Sequence, residues 1–550
     1  MRFPDQLFSG PSRHLGFKRP SSCVFRWILA VFVLASFPGP AVATQRDELQ
    51  FLVVPVEKET AMFRQFLPIK RCLEEKMERP VQLKLGHDAQ AVAEGLQYGA
   101  WDVAYMDPAL YCEIKDKYTV QPLAKLQRKN RDTYTSVLVV RSDSFWTKVA
   151  DIRGASLALG QPGSSATHLI PLSLLHEADL TLSDFGQVST LPNEDEIALS
   201  VLVGDHDVGA MSHGVYTKYA SVGLRILKAS EEIPQFVVCA APDVSQKSKA
   251  LITDALLSYS RRGNQELSFV PVQDREYNIV RIMIKNITGK DYLRYPPDAV
   301  KLGLLPLFSA ITLNKRYTPL AAYLSEQTGR DFRLVIPKDF EKFVDIVRSG
   351  DVDFAYQNPY VYLLLAREGH LRSLALTVSL EPDQPRSSFR GVIITRKDSA
   401  IQAVDDLIGK KIMIVSFKSA GGYRFQKLFL QDQGLAIEKQ ADLKEAKRHE
   451  EVVLRVYRGQ ADAGFVRESA LQVVQDLVDM DQLRVLAKTP YHPNWPFAAH
   501  TATNSSLVAA VKKNLIDLNQ EDLLTKMGIE GFTDADQEKL LLLKEQVEFK

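Results

Sequence analysis

The chain carries its own sequence twice, and this duplication limits its fold more than any other feature. LVVPVEKETAMFRQFLP near Leu52 runs parallel to LGLLPLFSAITLNKRYTP near Leu302. At a constant offset of 251, Pro55, Pro68, Gly99, Asp102, Tyr105, Pro108 and Tyr111 meet Pro306, Pro319, Gly350, Asp353, Tyr356, Pro359 and Tyr362. At an offset of 255, VLVVRSDS (Val137–Ser144) meets VIITRKDS (Val392–Ser399), and Gly154, Ser164, Leu180, Gly204 and Gly209 meet Gly409, Ser419, Leu435, Gly459 and Gly464. LRILKAS from Leu224 then meets LRVLAKT from Leu483 at 259. Registers held this long describe two copies of one domain, 44–290 and 291–550.

Each copy alternates strand and helix. In the second, Leu302–Leu307 reads as a short apolar strand followed by a helix to Gln327, and Phe332–Ile336 as the next strand. DFEKFVDIVRSG is an amphipathic helix closed by Gly350, and VDFAY a strand before a helix opened by Pro359. Unbroken apolar runs point to strands buried on both faces, hence an α/β fold with a mostly parallel sheet.

Lys and Arg number 68 against 67 Asp and Glu, a net charge of +1. No long basic run follows the N-terminal segment, so nothing here favours nucleic acid as a partner. That segment has the order of a secretory signal peptide over residues 1–43: Arg13, Lys18, Arg19 and Arg26, the apolar run Trp27–Phe37, then Ala41-Val42-Ala43. Export to the periplasm follows, with a mature chain from near Thr44; an uncleaved anchor is the alternative. Cys72, Cys112 and Cys239 are an odd number without CxxC spacing, which argues against a metal and leaves one disulfide or three buried thiols. No nucleophile elbow, zincin motif, P-loop or dinucleotide fingerprint is present, so no enzyme activity and no cofactor are expected. His168 follows a serine pair without an acidic partner, and His206 in GDHDVG reads as a solvated turn residue.

Twice over, the chain shows G-x-x-D-x-A-Y-x-x-P-x-x-Y (GAWDVAYMDPALY, GDVDFAYQNPYVY), then VVRSDS or ITRKDS, then DIRG or DLIGKK. A small-residue turn opening a helix follows, QPGSSATH in the first copy and SFKSAGGY in the second. In this order the pieces resemble the phosphonate-binding component of bacterial ABC importers, over nearly all of the mature chain. The resemblance implies two tandem type II periplasmic-binding-protein-like domains, each of two α/β lobes around a cleft. In the first copy these would be about 47–135 plus 225–290 and 136–224, with hinges near Val137–Val140 and Val392–Thr395. It also implies a small oxyanion ligand, phosphonate, phosphate or similar, and an ABC permease as partner. A membrane sensor as partner, or a scaffold with a degenerate first cleft, are the alternatives.

The turn opening a helix has free backbone N–H groups at the positive end of the helix dipole, a ready anion site if it faces a gap between lobes. In the second copy the turn is Lys418, Ser419, Ala420, Gly421, Gly422 and Tyr423; in the first it is Ser164, Ser165 and Ala166 followed by Thr167. The family's Ser-Thr-Ser-Gly is matched fully by neither. Tyr105 and Tyr356 stand at strand ends that face the cleft in the family, followed by Asp107 and Asn358; Asp107 repels an anion, whereas Asn358 can donate. Of Tyr360 and Tyr362, one is expected on the cleft side and one in the core. His449 stands where the family has a ligand-facing His, and the first copy has Glu194 there. Arg386, Arg390, Lys418 and Arg424 add positive charge to the second copy, which is therefore expected to be the better anion receptor. Asp107, Glu194 and Asp195 suit the first to a cationic or zwitterionic solute, or to none.

Overall fold

The computed structural model describes residues 48–54, 59–86, 89–260, 267–379, 387–535 and 540. Residues 1–43, expected to be a signal peptide, and Arg386 lie outside the described residues. No helix among those described is long and apolar enough to cross a membrane.

The two copies share one topology. In the first, a six-stranded sheet runs in the order 267–270, 121–128, 237–240, 103–106, 49–53, 81–85. The second has the order 529–534, 371–379, 496–500, 354–356, 300–304, 332–335. Each copy adds a five-stranded sheet: 224–229, 136–141, 208–212, 156–159, 187–190 in the first, and 483–488, 391–396, 463–467, 411–414, 442–445 in the second. The six-stranded sheet and its helices are called the A lobe below, the five-stranded sheet and its helices the B lobe. Leu224–Ala229 belongs to the B lobe, so that lobe extends past residue 224.

The sheets are mixed rather than mostly parallel. Leu49–Val53 is parallel to both its neighbours, but Val237–Ala240 lies antiparallel to Val103–Met106 on one side and to Gln121–Arg128 on the other. Pro496–His500 repeats this between Phe354–Tyr356 and Leu371–Ser379. The cause is the chain path: these strands return from the B lobe and enter the A sheet from its cleft end. Apolar composition records burial on two faces and is blind to strand direction. The crossings themselves are two-residue ribbons, Thr133–Tyr134 with Ile233–Pro234 and Ser388–Phe389 with His492–Pro493. Val137–Val140 and Val392–Thr395 lie just beyond them, inside the B sheets.

Helix starts are closed by side chains as the turn chemistry requires. Asn193, Ser309, Asp339 and Asn504 each accept an N–H of the first turn that follows. Gly350, at φ 75, ends the helix Phe340–Arg348 in the left-handed region open to glycine. Cys72, Cys112 and Cys239 are three separate buried thiols, and burial pushes Cys112 up to about 12. His206 is buried, not solvated.

The copies pack on each other. Helix Asn278–Thr288 of the first lies along Ala310–Thr328 of the second, and Ile311 joins the apolar core around Tyr277 and Ile282. A second contact joins the B lobes. Arg458 donates to Asp179 O (3.0 Å), Asp179 Oδ2 (3.2 Å) and Ala178 O, and Tyr457 Oη to Asp151 Oδ1 (3.3 Å). Between copies lies a cavity of about 660 Å³, with Ile279, Ile282 and Phe308 on its apolar side and Lys315, Arg448 and Lys526 among its charged lining. The Arg458 side chain is 9% exposed, and removing it takes the donor from two first-copy carbonyls. Arg458→Ala is expected to lower unfolding free energy by about 1–3 kcal/mol; an unchanged denaturant midpoint would show the contact to be idle.

Candidate functional site

In the second copy, the strand Lys411–Ile414 leads into a turn at Ser416–Ser419, and the chain winds from Ala420 through a π-helical turn into Phe425–Asp432. Ser419 Oγ accepts the Gly422 N–H (3.1 Å). The N–H groups of Ala420 and Gly421 have no acceptor among the described residues. Glycine is required at 421: a Cβ would stand 2.8 Å from Phe389 Cε2 and 3.2 Å from Arg467 Cβ. Ser419 to Tyr423 are all buried, so the turn faces a cleft that is shut, with Phe389 and Arg467 over Gly421, rather than an open gap.

Several polar contacts join the lobes, the His449 N–H to Leu307 O (3.3 Å) among them. Asn358 Nδ2 donates to Lys418 O (3.3 Å), Arg424 Nη2 to Tyr360 Oη (2.9 Å), and Ser309 N to Glu450 Oε1 (3.0 Å). The Lys418 ammonium meets the Glu341 carboxylate. Tyr360 thus reaches across the cleft, whereas Tyr362 Oη accepts the Ser373 N–H (3.1 Å) within its own lobe. Tyr356 is buried among Tyr317, Trp495 and Phe497, and its hydroxyl bonds to Thr377 Oγ1 (2.7 Å). Arg390 is engaged by Glu468 through both carboxylate oxygens (2.6 and 2.9 Å). His449 Nδ1 accepts the Arg467 N–H (3.1 Å), which leaves the ring proton on Nε2. Burial first, and the Arg467 charge second, pull His449 down to about 3, so the ring stays neutral.

Several residues of this cleft were not singled out in the sequence. Arg467, at the end of the strand Ala463–Arg467, lies over the Phe389 ring (4.4 Å) and near Trp495 (5.9 Å), and donates to Asn494 Oδ1 (3.3 Å). Trp495 is buried, and its Nε1–H has no acceptor among the described residues. Arg316 lies over Phe308 (5.0 Å), and with Arg467 adds positive charge beside the Tyr317 and Tyr356 hydroxyls. Aligning the copies held the signal: Arg316, Arg467 and Trp495 face Gln65, Ser212 and Phe236 at the three offsets.

The first copy has the same scaffold with other chemistry. Tyr105 is buried between Phe66 (4.8 Å) and Phe236 (5.3 Å). Glu194 does what His449 does in the second copy: its carboxylate accepts the Ser212 N–H (3.0 Å) and hydroxyl (2.6 Å). Ser164 Oγ accepts from Thr167, and Ala166 O accepts the Ser136 hydroxyl. Ser165 is covered by Asp107. Asp195 bonds to Tyr219 and Lys218 on the surface.

Two α/β lobes joined by a double crossing, with helix starts and strand ends meeting in the cleft, define a bilobal binding protein. A family model described as ABC transporter, phosphonate, periplasmic substrate-binding protein matches residues 51–277 and again 302–540. The chain belongs to this family. The tetrathionate sensor histidine kinase TtrS of Salmonella typhimurium is 29% identical over 239 residues, 39% of this chain and 39% of the kinase. The chain therefore spans well under half of that relative. The phosphate-import protein PhnD of Mycolicibacterium smegmatis is 24% identical over 251 residues, 44% of this chain and 77% of that protein. Among solved structures, PhnD1 of Prochlorococcus marinus with methylphosphonate covers 44% of this chain and 97% of its own (14% identity, TM-score 0.39). The periplasmic domain of Bordetella pertussis BvgS covers 91% and 93% (15% identity, TM-score 0.31).

Glu450 gives the second cleft a pH dependence. It is 6% exposed, its Oε2 has no partner among the described residues, and burial pushes it up to about 7. Glu177 of the first copy, near Glu450, is also raised to about 7, by burial and then by the Glu450 charge. Between about 4.5 and 7 the folded chain holds protons that the unfolded chain has released, so stability falls as pH rises through that window. Glu450→Gln is expected to flatten the fall and to melt above the parent at pH ~8. Thermal midpoints measured across pH check this, and parallel curves for the two proteins would contradict it.

Proposed function

We propose that the chain is an exported, periplasmic solute-binding protein that captures a small oxyanion, such as a phosphonate or phosphate, in its second copy for an ABC importer. The reading rests on one observation above all: the Ala420 and Gly421 N–H groups have no acceptor among the described residues, and Arg467, whose backbone and Cβ lie beside Gly421, carries a guanidinium over the neighbouring Phe389 ring. A buried donor without a partner is costly, and an anion spanning the cleft relieves that cost in the closed form alone. Neutral His449, through Nε2–H, and the Trp495 N–H add donors that suit oxyanion oxygens. Asn358, Lys418, Ser419, Gly422 and Tyr423 shape the turn and its closure; Tyr356 and Arg390 support it from behind. Family membership supports the substrate-binding role, and two relatives bear the names of oxyanions in their own functions, phosphate and tetrathionate.

A second reading, a ligand-sensing partner of a membrane signalling protein, is favoured by the copy interface, where Arg458 and Tyr457 tie the second B lobe to the first. Hydrogen exchange on anion addition separates the two. Protection confined to the second cleft supports delivery, and protection spreading to Asp151 and Asp179 supports signalling.

Calorimetry of the whole chain with inorganic phosphate, methylphosphonate and tetrathionate is expected to show one anion site. Arg467→Ala should weaken it at least about tenfold, the loss of a charge-assisted bond. No binding of any anion, or binding indifferent to Arg467, would refute the proposal.

A further inference from the structure

We propose that the first copy holds its ligand internally: the Asp107 carboxylate occupies the anion position of that cleft and keeps it shut. Asp107 ends the strand Val103–Met106 in the A lobe and caps the helix Pro108–Lys117. Its Oδ1 accepts the Ala109 N–H (2.8 Å) from its own lobe and the Ser165 hydroxyl from the B lobe. Its Oδ2 accepts the Ser165 N–H (3.0 Å), and Ser165 Oγ also accepts from Ala109 N (3.0 Å). Ser165 stands where the second copy has Ala420, at the first turn of the segment that continues into the helix Ile170–Glu177. Two helix starts thus point at one carboxylate, the arrangement that holds a bound oxyanion.

The second copy supplies the contrast. Asn358 occupies the position of Asp107, but its amide donates to Lys418 O and accepts from Val361, leaving the Ala420 and Gly421 amides without an acceptor among the described residues. The carboxylate-to-amide difference, together with Ser165 against Ala420, thus separates an anion supplied by the chain from one supplied from outside. Asp107 is 4% exposed, so solvent anions do not compete for its place. Apolar packing reinforces the closure. Helix Asn278–Thr288 lies against Pro108–Lys117 of the A lobe and against Ser165–Glu177 of the B lobe, with Leu169 and Ile170 in one core with Tyr277 and Ile282. The first copy is on this view a fixed closed body on which the second opens and closes.

The test is chemical rescue on the full chain. In Asp107→Ala, the Ser165 and Ala109 amides are expected to exchange at least about tenfold faster, and the melting temperature to fall. Formate or acetate should restore both, saturably and beyond the effect of equal chloride, while the parent shows no such response. Parent-like protection of Ser165 in Asp107→Ala would overturn the proposal, as would no gain from carboxylate over chloride. If Asp107→Ala does not fold, the near-isosteric Asp107→Asn serves: faster exchange at Ser165 is expected, and unchanged exchange refutes. Anion titration of Arg467→Ala reads the second copy alone, so failure of either idea is seen separately.

Discussion

A helix that begins inside a protein brings backbone N–H groups that must be satisfied where water does not reach. Each copy places such a start, Ser164–Leu169 and Ser419–Arg424, where its two lobes meet. The lobes can close over it only if some acceptor is supplied. In the first copy the supply is covalent and permanent, Asp107; in the second, nothing among the described residues fills the role. Closure of the second cleft therefore depends on composition in a way that closure of the first does not. The cross-lobe contacts that it does make, Asn358 to Lys418 O and Arg424 to Tyr360, lie beside the uncapped amides rather than on them.

At this place the copies differ in chemistry on a shared scaffold. The sheet orders match strand for strand, and the aromatic wall behind the cleft is kept, Phe66, Tyr105 and Phe236 against Tyr317, Tyr356 and Trp495. What changes is charge: Asp107 against Asn358, Glu194 against His449, Ser212 against Arg467. Glu194 and His449 show how a site changes sign without losing its scaffold. Both accept the N–H of the residue eighteen positions on, so that backbone contact survives while an acid becomes a neutral donor.

The duplication, the α/β character and the small-residue turn were legible in the sequence because each leaves a local trace: a fixed register, apolar runs, a Ser/Gly cluster before a helix; the two-lobe plan came only through the family resemblance. Strand direction was not, since a buried strand reads alike whichever way it runs, and Val237–Ala240 enters its sheet against the expected sense. The role of Asp107 was half legible. Its charge reads as hostile to an outside anion, but the inference that the carboxylate replaces that anion needs Ser165, 58 positions away, to be brought within hydrogen-bonding reach. Arg467 and Trp495 were missed for a related reason: a lone arginine at a strand end is ordinary, and only superposing the copies marks it as a difference.

The position of Glu450 connects the cleft to the copy interface. Its carboxylate takes the Ser309 N–H at the start of Ala310–Thr328, the helix that also packs on Asn278–Thr288 of the first copy. Its neighbour across the boundary is Glu177, at the end of the helix that begins over Asp107. Opening of the second cleft would separate Ser309 from Glu450 and admit water to a carboxyl whose affinity for its proton depends on burial. A charge at Glu450 would raise Glu177 further, and on the sensing reading this would couple the second cleft to the first copy.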